Sequence, residues 1–155
     1  DDALSRGLGD VYKRQHELGM ISVVWMYPRG AAVGNEKDPQ LISGAAGVAA
    51  CIGADFAKVN YPSEFEGMSR SESLAIAVEA AGRTGIICSG GGTLPADEFL
   101  ERLWQQMNIG NCRGAATGRN IHQKNTKDAV KMAAASHAII CQGASVEDAL
   151  AIYHS

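Results

Sequence analysis

The sequence predicts an α/β fold in which parallel strands alternate with helices. Short apolar segments rich in β-branched residues alternate along the chain with longer segments that carry helix start and stop signals. Strands that alternate with helices in this way pair in parallel through right-handed crossovers. The composition fits one globular domain of this class, because the 155 residues are 46% hydrophobic and 20% charged, with a net charge of −3.

Each predicted strand is followed by a predicted helix. We expect strands at residues 20–27, 53–62, 84–88 and 112–116, and helices at 39–52, 69–81, 95–107, 126–141 and 145–153. Asp38 before Pro39 is typical of a helix start, Ser69 with Glu72 predicts a capping box, and Ser145 with Asp148 a near-capping box. Four strand–helix units are half of an eight-stranded barrel.

Polar clusters follow the predicted strands at the point where each strand ends. They comprise residues 25–29, 58–61, 89–93 and 118–120. In parallel α/β folds the functional sites lie at this edge of the sheet. The glycine-rich loops after the last two strands match the usual position of a phosphate site in eight-stranded barrels.

Lys58 is the residue on which the functional interpretation depends. Alternation along the strand places Phe56, Lys58 and Asn60 on one face, close to the strand's end. A lysine among so much Ala, Val and Gly either extends its amine to water or is kept uncharged by burial. The uncharged amine is what a Schiff-base nucleophile requires.

Two further features would complement such a lysine. Tyr27 follows Trp25 by two residues, so both side chains are expected on the same strand face, where a phenol could exchange protons with a substrate. The glycines at 90–92 let backbone N–H groups approach a phosphate, and Arg119 adds a charged fork.

Each of these residues also has a structural interpretation. Lys58 alone could be a surface residue, and Trp25 and Tyr27 could be core aromatics. The SGGGT sequence at 89–93 could be a turn, since it lacks the GxGxxG pattern of dinucleotide sites. Arg119 could cap a helix, and we expect His122 to be structural.

Composition and spacing argue against several other classes of protein. No basic surface is predicted, so nucleic acid is not an expected partner, and the longest apolar runs are too short to cross a membrane. No signal peptide is recognised, and the four widely spaced cysteines are expected to be buried free thiols, so we predict a cytoplasmic protein. The four histidines lack the paired spacing of a metal site.

Residues 1–15 are expected to be a non-native tail. The run at 5–15, SRGLGDVYKRQ, is similar to the translation of a transposase adapter used in sequencing libraries. The alternative is a polar tail or a short helix. The native domain is then predicted to occupy residues 16–155.

Four motifs, VVWMYPRG, GADFAKVNYP, SGGGT and ATGRNIHQ, occur in one order and spacing. In this arrangement the chain resembles the C-terminal half of the DhnA-type, prokaryotic class I fructose-bisphosphate aldolases of the DeoC/FbaB superfamily. The resemblance covers nearly all of residues 16–155. It implies a TIM (β/α)8 barrel, of which these are strands five to eight.

The resemblance also implies a lyase that cleaves fructose 1,6-bisphosphate reversibly to dihydroxyacetone phosphate and glyceraldehyde 3-phosphate, without metal or other cofactor, in glycolysis and gluconeogenesis. It implies a homo-oligomer that binds a phosphorylated sugar as its substrate. Lys58 matches the Schiff-base lysine, Tyr27 the general acid/base, and Trp25 the aromatic that lines the substrate. The implied substrate and phosphate contacts are Arg29, Ser89, Gly90, Gly91, Gly118 and Arg119.

The first four strands of such a barrel, with an acidic residue that assists proton transfer, are not in this sequence. We therefore expect the chain alone to be inactive and prone to self-association, because its strand edges and inner face are unpaired. Two alternatives stay open. One is a sibling Schiff-base enzyme, transaldolase-like or a thiolase, acting on another phosphorylated keto sugar, and the other is a non-catalytic sugar-phosphate-binding module.

Overall fold

The computed structural model describes residues 7–155 and contains four strands and seven helices within that range. The strands are β1 (Val23–Trp25), β2 (Phe56–Val59), β3 (Gly85–Ser89) and β4 (Gly114–Ala116). The helices are α1 (Leu8–Glu17), α2 (Pro39–Cys51), α3 (Arg70–Ala80), α4 (Ala96–Asn108), α5 (Gly118–His122), α6 (Thr126–Gln142) and α7 (Val146–His154). Every strand is followed by a helix, as predicted.

The four strands form one parallel sheet in sequence order, β1-β2-β3-β4. The register places Trp25 beside Lys58, and Lys58 beside Ile87. Parallel neighbours in sequence order, each separated by a helix, are the arrangement of a (β/α) barrel. The prediction of an α/β fold with parallel strands is therefore confirmed.

The two faces of the sheet differ sharply in burial. The face that the helices cover is dry, because Ala57, Val59, Ile86 and Cys88 all have no solvent-accessible surface. The opposite face is open, and Trp25 on it is 70% exposed. In a closed barrel this open face would be the interior.

The core consists of two clusters. One lies between the sheet and helices α2 and α3, with Ile42 and Leu74 fully buried. The other joins α4, α6 and α7 around Phe99, Leu103 and Met132. Burying such side chains stabilises the fold by about 1.5–3 kcal/mol each.

Helix ends follow the predicted signals closely. The Asp38 carboxylate accepts hydrogen bonds from the N–H groups of Gln40 and Leu41 at the start of α2. The capping boxes of α3 and α7 are both complete, with each side chain bonded to the other residue's backbone. No helix in the described range combines the length and the apolar character needed to span a bilayer.

Several predictions need correction. β1 and β2 are shorter than expected, since their ladders stop where the chain turns into loops, so Tyr27 and Asn60 lie just beyond the strands. The short helix α5 was not predicted. Cys88 and Cys112 are buried as expected, whereas Cys51 and Cys141 are exposed because they lie on the outer surfaces of helices, and all four thiols are free.

The segment predicted to be non-native forms most of α1 in the structure. Residues 1–6 lie outside the described part of the chain. Beyond them, Tyr12 packs against the core, and Arg14 pairs with Glu17 at 3.2 Å on the surface. The foreign origin of residues 1–15 stays a prediction.

Candidate active site

Lys58 lies on the open face of the sheet, near the carboxyl end of β2. Its neighbours in sequence, Ala57 and Val59, point into the helix-covered core, so alternation directs the lysine the other way. Its Nζ lies 4.4 Å from the centroid of the Trp25 ring on the adjacent strand. An ammonium group at this distance from an indole face is attracted by the ring's quadrupole.

A row of contacts continues from Trp25 into the loop after β1. The Trp25 and Tyr27 rings are 6.4 Å apart, and the Arg29 guanidinium lies 5.2 Å from the Tyr27 ring. Arg29 also donates from Nε to Glu36 at 2.9 Å. The structure therefore brings the lysine, the indole and the phenol to one edge, while Arg29 is held by the Glu36 carboxylate of the same loop.

The loop at residues 89–93, which we call the glycine loop, is fixed against the end of β4. The Gly90 N–H donates to the Ala116 carbonyl at 2.8 Å. A Cβ at position 90 would lie 2.8 Å from the Thr117 Cα, so only glycine fits there. Gly91 has a φ of +66°, which glycine adopts without strain. The two predicted phosphate loops thus meet in space.

Ser89 is directed towards the strand that carries the lysine. Its hydroxyl donates to Oδ1 of Asn60 at 3.3 Å, and Asn60 is two residues beyond Lys58. The Asn60 amide nitrogen is buried and has no hydrogen-bond partner in residues 7–155. The Ser89 hydroxyl therefore already has a hydrogen-bond partner within the protein. The Asn60 amide nitrogen is a buried donor that has none among residues 7–155.

Gly118 and Arg119 lie at the exposed start of α5. Within residues 7–155, the Arg119 guanidinium has neither a hydrogen bond nor an ion pair. It is therefore available to an anion at this edge. His122 is exposed, and its ring would make only ordinary contact with a side chain at position 118.

Two residues that were not predicted as individual site residues, Asn120 and Arg102, support the glycine loop. Asn120 is fully buried and bonds to three residues of the loop and its continuation. Arg102 of α4 donates to the Gly90 carbonyl, and burial lowers the pKa of its guanidinium below the usual range. The position of Asn120 directly after Gly118 and Arg119 was the available signal.

Residues 7–155 contain other clusters of ionisable groups. His16, Ser22 and Asp55 form a small hydrogen-bonded cluster at the start of β1 and β2, away from the glycine loop. No group of three or more His, Cys, Asp or Glu side chains in the described range is arranged to hold a metal ion. Tyr61 is buried, and desolvation raises the pKa of its phenol, with the Arg70 guanidinium 4.2 Å from its ring. Tyr61 belongs to the helix-covered core, unlike Tyr27.

A parallel βα array with a lysine at its carboxyl edge and two glycine loops beside it defines this chain as half of an α/β barrel with a strand-end site. The family of DeoC/LacD aldolases matches residues 5–124, and the chain belongs to that family. The predicted family resemblance is thereby confirmed. The match begins inside the segment that was predicted to be foreign.

Named relatives agree with this assignment. The chain is 52% identical over 139 residues to the fructose-bisphosphate aldolase/6-deoxy-5-ketofructose 1-phosphate synthase of Methanocaldococcus jannaschii, covering 90% of this chain and 44% of that protein. It is 37% identical over 137 residues to the class 1 fructose-bisphosphate aldolase of Halobacterium salinarum, covering 88% and 48%. The chain thus spans about half the length of these relatives.

Solved structures show the same relation. The fructose-bisphosphate aldolase from Slackia heliotrinireducens superposes with a TM-score of 0.91 at 49% identity, covering 95% of this chain and 46% of that one. An archaeal fructose-1,6-bisphosphate aldolase, whose catalytic lysine is covalently bound to the carbinolamine intermediate of the substrate, superposes with a TM-score of 0.75 at 28% identity, covering 86% and 50%. The half-barrel prediction is confirmed, whereas the numbering of the strands as five to eight stays a prediction.

Proposed function

We propose that the complete protein is a class I, Schiff-base aldolase that cleaves fructose 1,6-bisphosphate reversibly to dihydroxyacetone phosphate and glyceraldehyde 3-phosphate. One observation carries the proposal. Lys58 lies on the sheet face that no helix covers, at the carboxyl edge, with its Nζ 4.4 Å from Trp25. Membership of the DeoC/LacD aldolase family and the aldolase names of the relatives support it.

The proposed reaction uses the lysine as an electron sink. The uncharged Lys58 amine adds to the C2 ketone, and the resulting carbinolamine takes up a proton and loses water to give an iminium. Tyr27 takes the proton from the C4 hydroxyl, the C3–C4 bond breaks, and its electron pair reduces the iminium to an enamine as the aldehyde leaves. Protonation of the enamine at C3 and hydrolysis release the ketone and restore the amine.

The open face explains why this chain alone is expected to be inactive. Trp25 is 70% exposed beside the lysine, so water reaches this edge freely. Four further strands would cover the face in a closed barrel. Their cover would desolvate the Lys58 amine and favour its uncharged form, which the first step needs.

The glycine loop and Arg119 are proposed to bind a phosphate of the substrate. The N–H groups of Gly91, Gly92 and Thr93 have no hydrogen-bond acceptor within residues 7–155. Consecutive free N–H groups form a concave anion site, and a guanidinium at its rim adds charge-assisted hydrogen bonds. Gly118 lets the chain approach the same phosphate, while Arg29 is proposed to contact the substrate's other end.

A trapping experiment tests the role of Lys58. It uses the intact barrel. By this we mean the chain joined to the other half of a barrel, as found in its relatives. Borohydride added with dihydroxyacetone phosphate should reduce the iminium and leave a stable adduct on Lys58. Lys58→Arg should abolish the adduct, while Lys37→Arg, in an exposed loop, should retain it. An adduct on another lysine, or none, would contradict the proposal.

A second activity has one observation in its favour. The Methanocaldococcus jannaschii relative is also named as a 6-deoxy-5-ketofructose 1-phosphate synthase. The same lysine chemistry would serve any phosphorylated keto sugar, so a panel of such sugars offered to the intact barrel separates the two activities by their kcat/KM values.

We further propose a cytoplasmic location and a homo-oligomer for the complete protein. The oligomeric state is checked by light scattering.

A further inference from the structure

Asn120 lies beneath the glycine loop, where the two loops of the candidate site meet. We infer that Asn120 is a positioning residue that holds the glycine loop in the shape that binds phosphate. The inference rests on the proposed function. It assigns a role to a residue that touches no substrate in the scheme above.

The contacts of Asn120 use its whole amide. Its side chain has no exposed surface. Nδ2 donates to the carbonyls of Gly92 at 3.1 Å and Gly90 at 3.4 Å, and Oδ1 accepts from the N–H of Leu94 at 2.9 Å. One rigid side chain therefore ties the beginning, middle and end of a five-residue segment.

These contacts sort the polar groups of the loop into two sets. The carbonyl oxygens of Gly90 and Gly92 accept hydrogen bonds from Asn120 Nδ2 and therefore point towards that side chain. The N–H groups of Gly91 and Gly92 are left without an acceptor among the described residues. A loop that hides its carbonyls and leaves its N–H groups free favours an anion.

The choice of asparagine follows from this arrangement. An aspartate has nearly the same shape and could still accept from the Leu94 N–H. Its carboxylate would, however, face the two carbonyls with a negative charge and no donor. Arg102 holds the Gly90 carbonyl independently from α4, so the loop keeps one anchor when Asn120 is changed.

The test compares two carbonyl compounds that differ only in phosphate. Borohydride trapping on Lys58 of the intact barrel is measured with dihydroxyacetone phosphate and with dihydroxyacetone. Asn120→Asp removes the two hydrogen bonds to the neutral carbonyls of Gly90 and Gly92, and a loss of this size corresponds to about tenfold in affinity. Asn120→Asp should therefore raise the concentration of dihydroxyacetone phosphate for half-maximal trapping about tenfold, with trapping by dihydroxyacetone unchanged.

A matched control separates positioning from stability. Asn125 caps α6 through its own hydrogen bonds to Asp128 and is not in the site. Asn125→Ala should lower the thermal midpoint and leave the preference for the phosphorylated compound unaltered. If Asn120→Asp does not fold, Asn120→Ser, which is smaller and uncharged, is used for the same comparison.

The possible results are distinct. An unchanged preference in the Asn120 variant, or an equal fall with both compounds, would overturn the inference and leave a structural role. If the wild type traps neither compound, the proposed function fails, and calorimetry with inorganic phosphate decides the inference. Weaker phosphate binding by Asn120→Asp than by the wild type supports it, and equal binding or none by the wild type overturns it.

Discussion

Gly90→Ala is the change that most directly tests how the two loops fit together. The added methyl group would lie 2.8 Å from the Thr117 Cα and 2.9 Å from the Ala116 carbonyl oxygen, whereas ordinary contacts begin at 3.4 Å. Both obstructing atoms belong to the backbone, so no side chain can rotate away. Either the glycine loop or the end of β4 must move by more than half an ångström, which breaks the Gly90–Ala116 hydrogen bond.

The expected loss of stability combines these effects. Overpacking of this kind costs about 1–3 kcal/mol, and the lost hydrogen bond costs about 1 kcal/mol. The smaller entropy of an unfolded chain with alanine returns about 0.4–1 kcal/mol. We therefore expect Gly90→Ala to lower the free energy of unfolding by about 1–4 kcal/mol.

Denaturant unfolding of the intact barrel measures this change. Gly92→Ala in the same loop is the matched control, because a Cβ there meets no atom within 4 Å. The control should leave the free energy of unfolding unchanged or raise it by up to about 1 kcal/mol, because alanine also reduces the entropy of its unfolded chain. Equal stability of the two variants would refute the packing of the loop against β4.

Two further changes test the structure away from the site. The Asp55 carboxylate accepts from the Ser22 N–H at 2.7 Å, and hydrogen bonds from Ser22 and His16 lower its pKa to about 2. The ionised Asp55 carboxylate therefore stabilises the folded chain above the ordinary pKa of 3.8, and this stabilisation is lost as the pH falls towards 2. Asp55→Asn should remove this part of the acid destabilisation, which is measured as the change in unfolding midpoint between pH 5 and pH 2. Ser69→Ala removes the capping box of α3 and should lower the free energy of unfolding in denaturant by about 0.5–2 kcal/mol. A decrease no larger than that caused by a Ser→Ala change at a solvent-exposed serine would contradict this prediction.

Local signals explain why much of the fold could be predicted from the sequence. Asp38, Ser69 and Ser145 act on N–H groups two or three residues away, so the chain itself contains both partners of each cap. The alternation around Lys58 likewise depends only on the geometry of one strand. Such features do not require knowledge of the tertiary structure.

Features that depend on distant partners could not be predicted in this way. The role of Asn120 arises from contacts with residues about thirty positions earlier. Its position after Gly118 and Arg119 places it near the site but does not show that its side chain is buried against the glycine loop. The exposure of Cys51 and Cys141 depends on which helix surface meets a neighbour. The shortening of β1 to Val23–Trp25 reflects how far it pairs with β2, from Phe56 to Lys58, before the chain turns into the next loop.

The residues that hold this chain together are on the opposite face from those that would carry its chemistry. Ala57 and Ile86 face the helices and are fully buried. Lys58, which follows Ala57, and Trp25, which pairs with Lys58 on the adjacent strand, face the open side. β1 and β4 also each have a partner on one side only in the described sheet. Closing the barrel would add little to the packing of the helical layer. In a closed barrel the edges of β1 and β4 would be paired, and the open face with Lys58 and Trp25 would be covered.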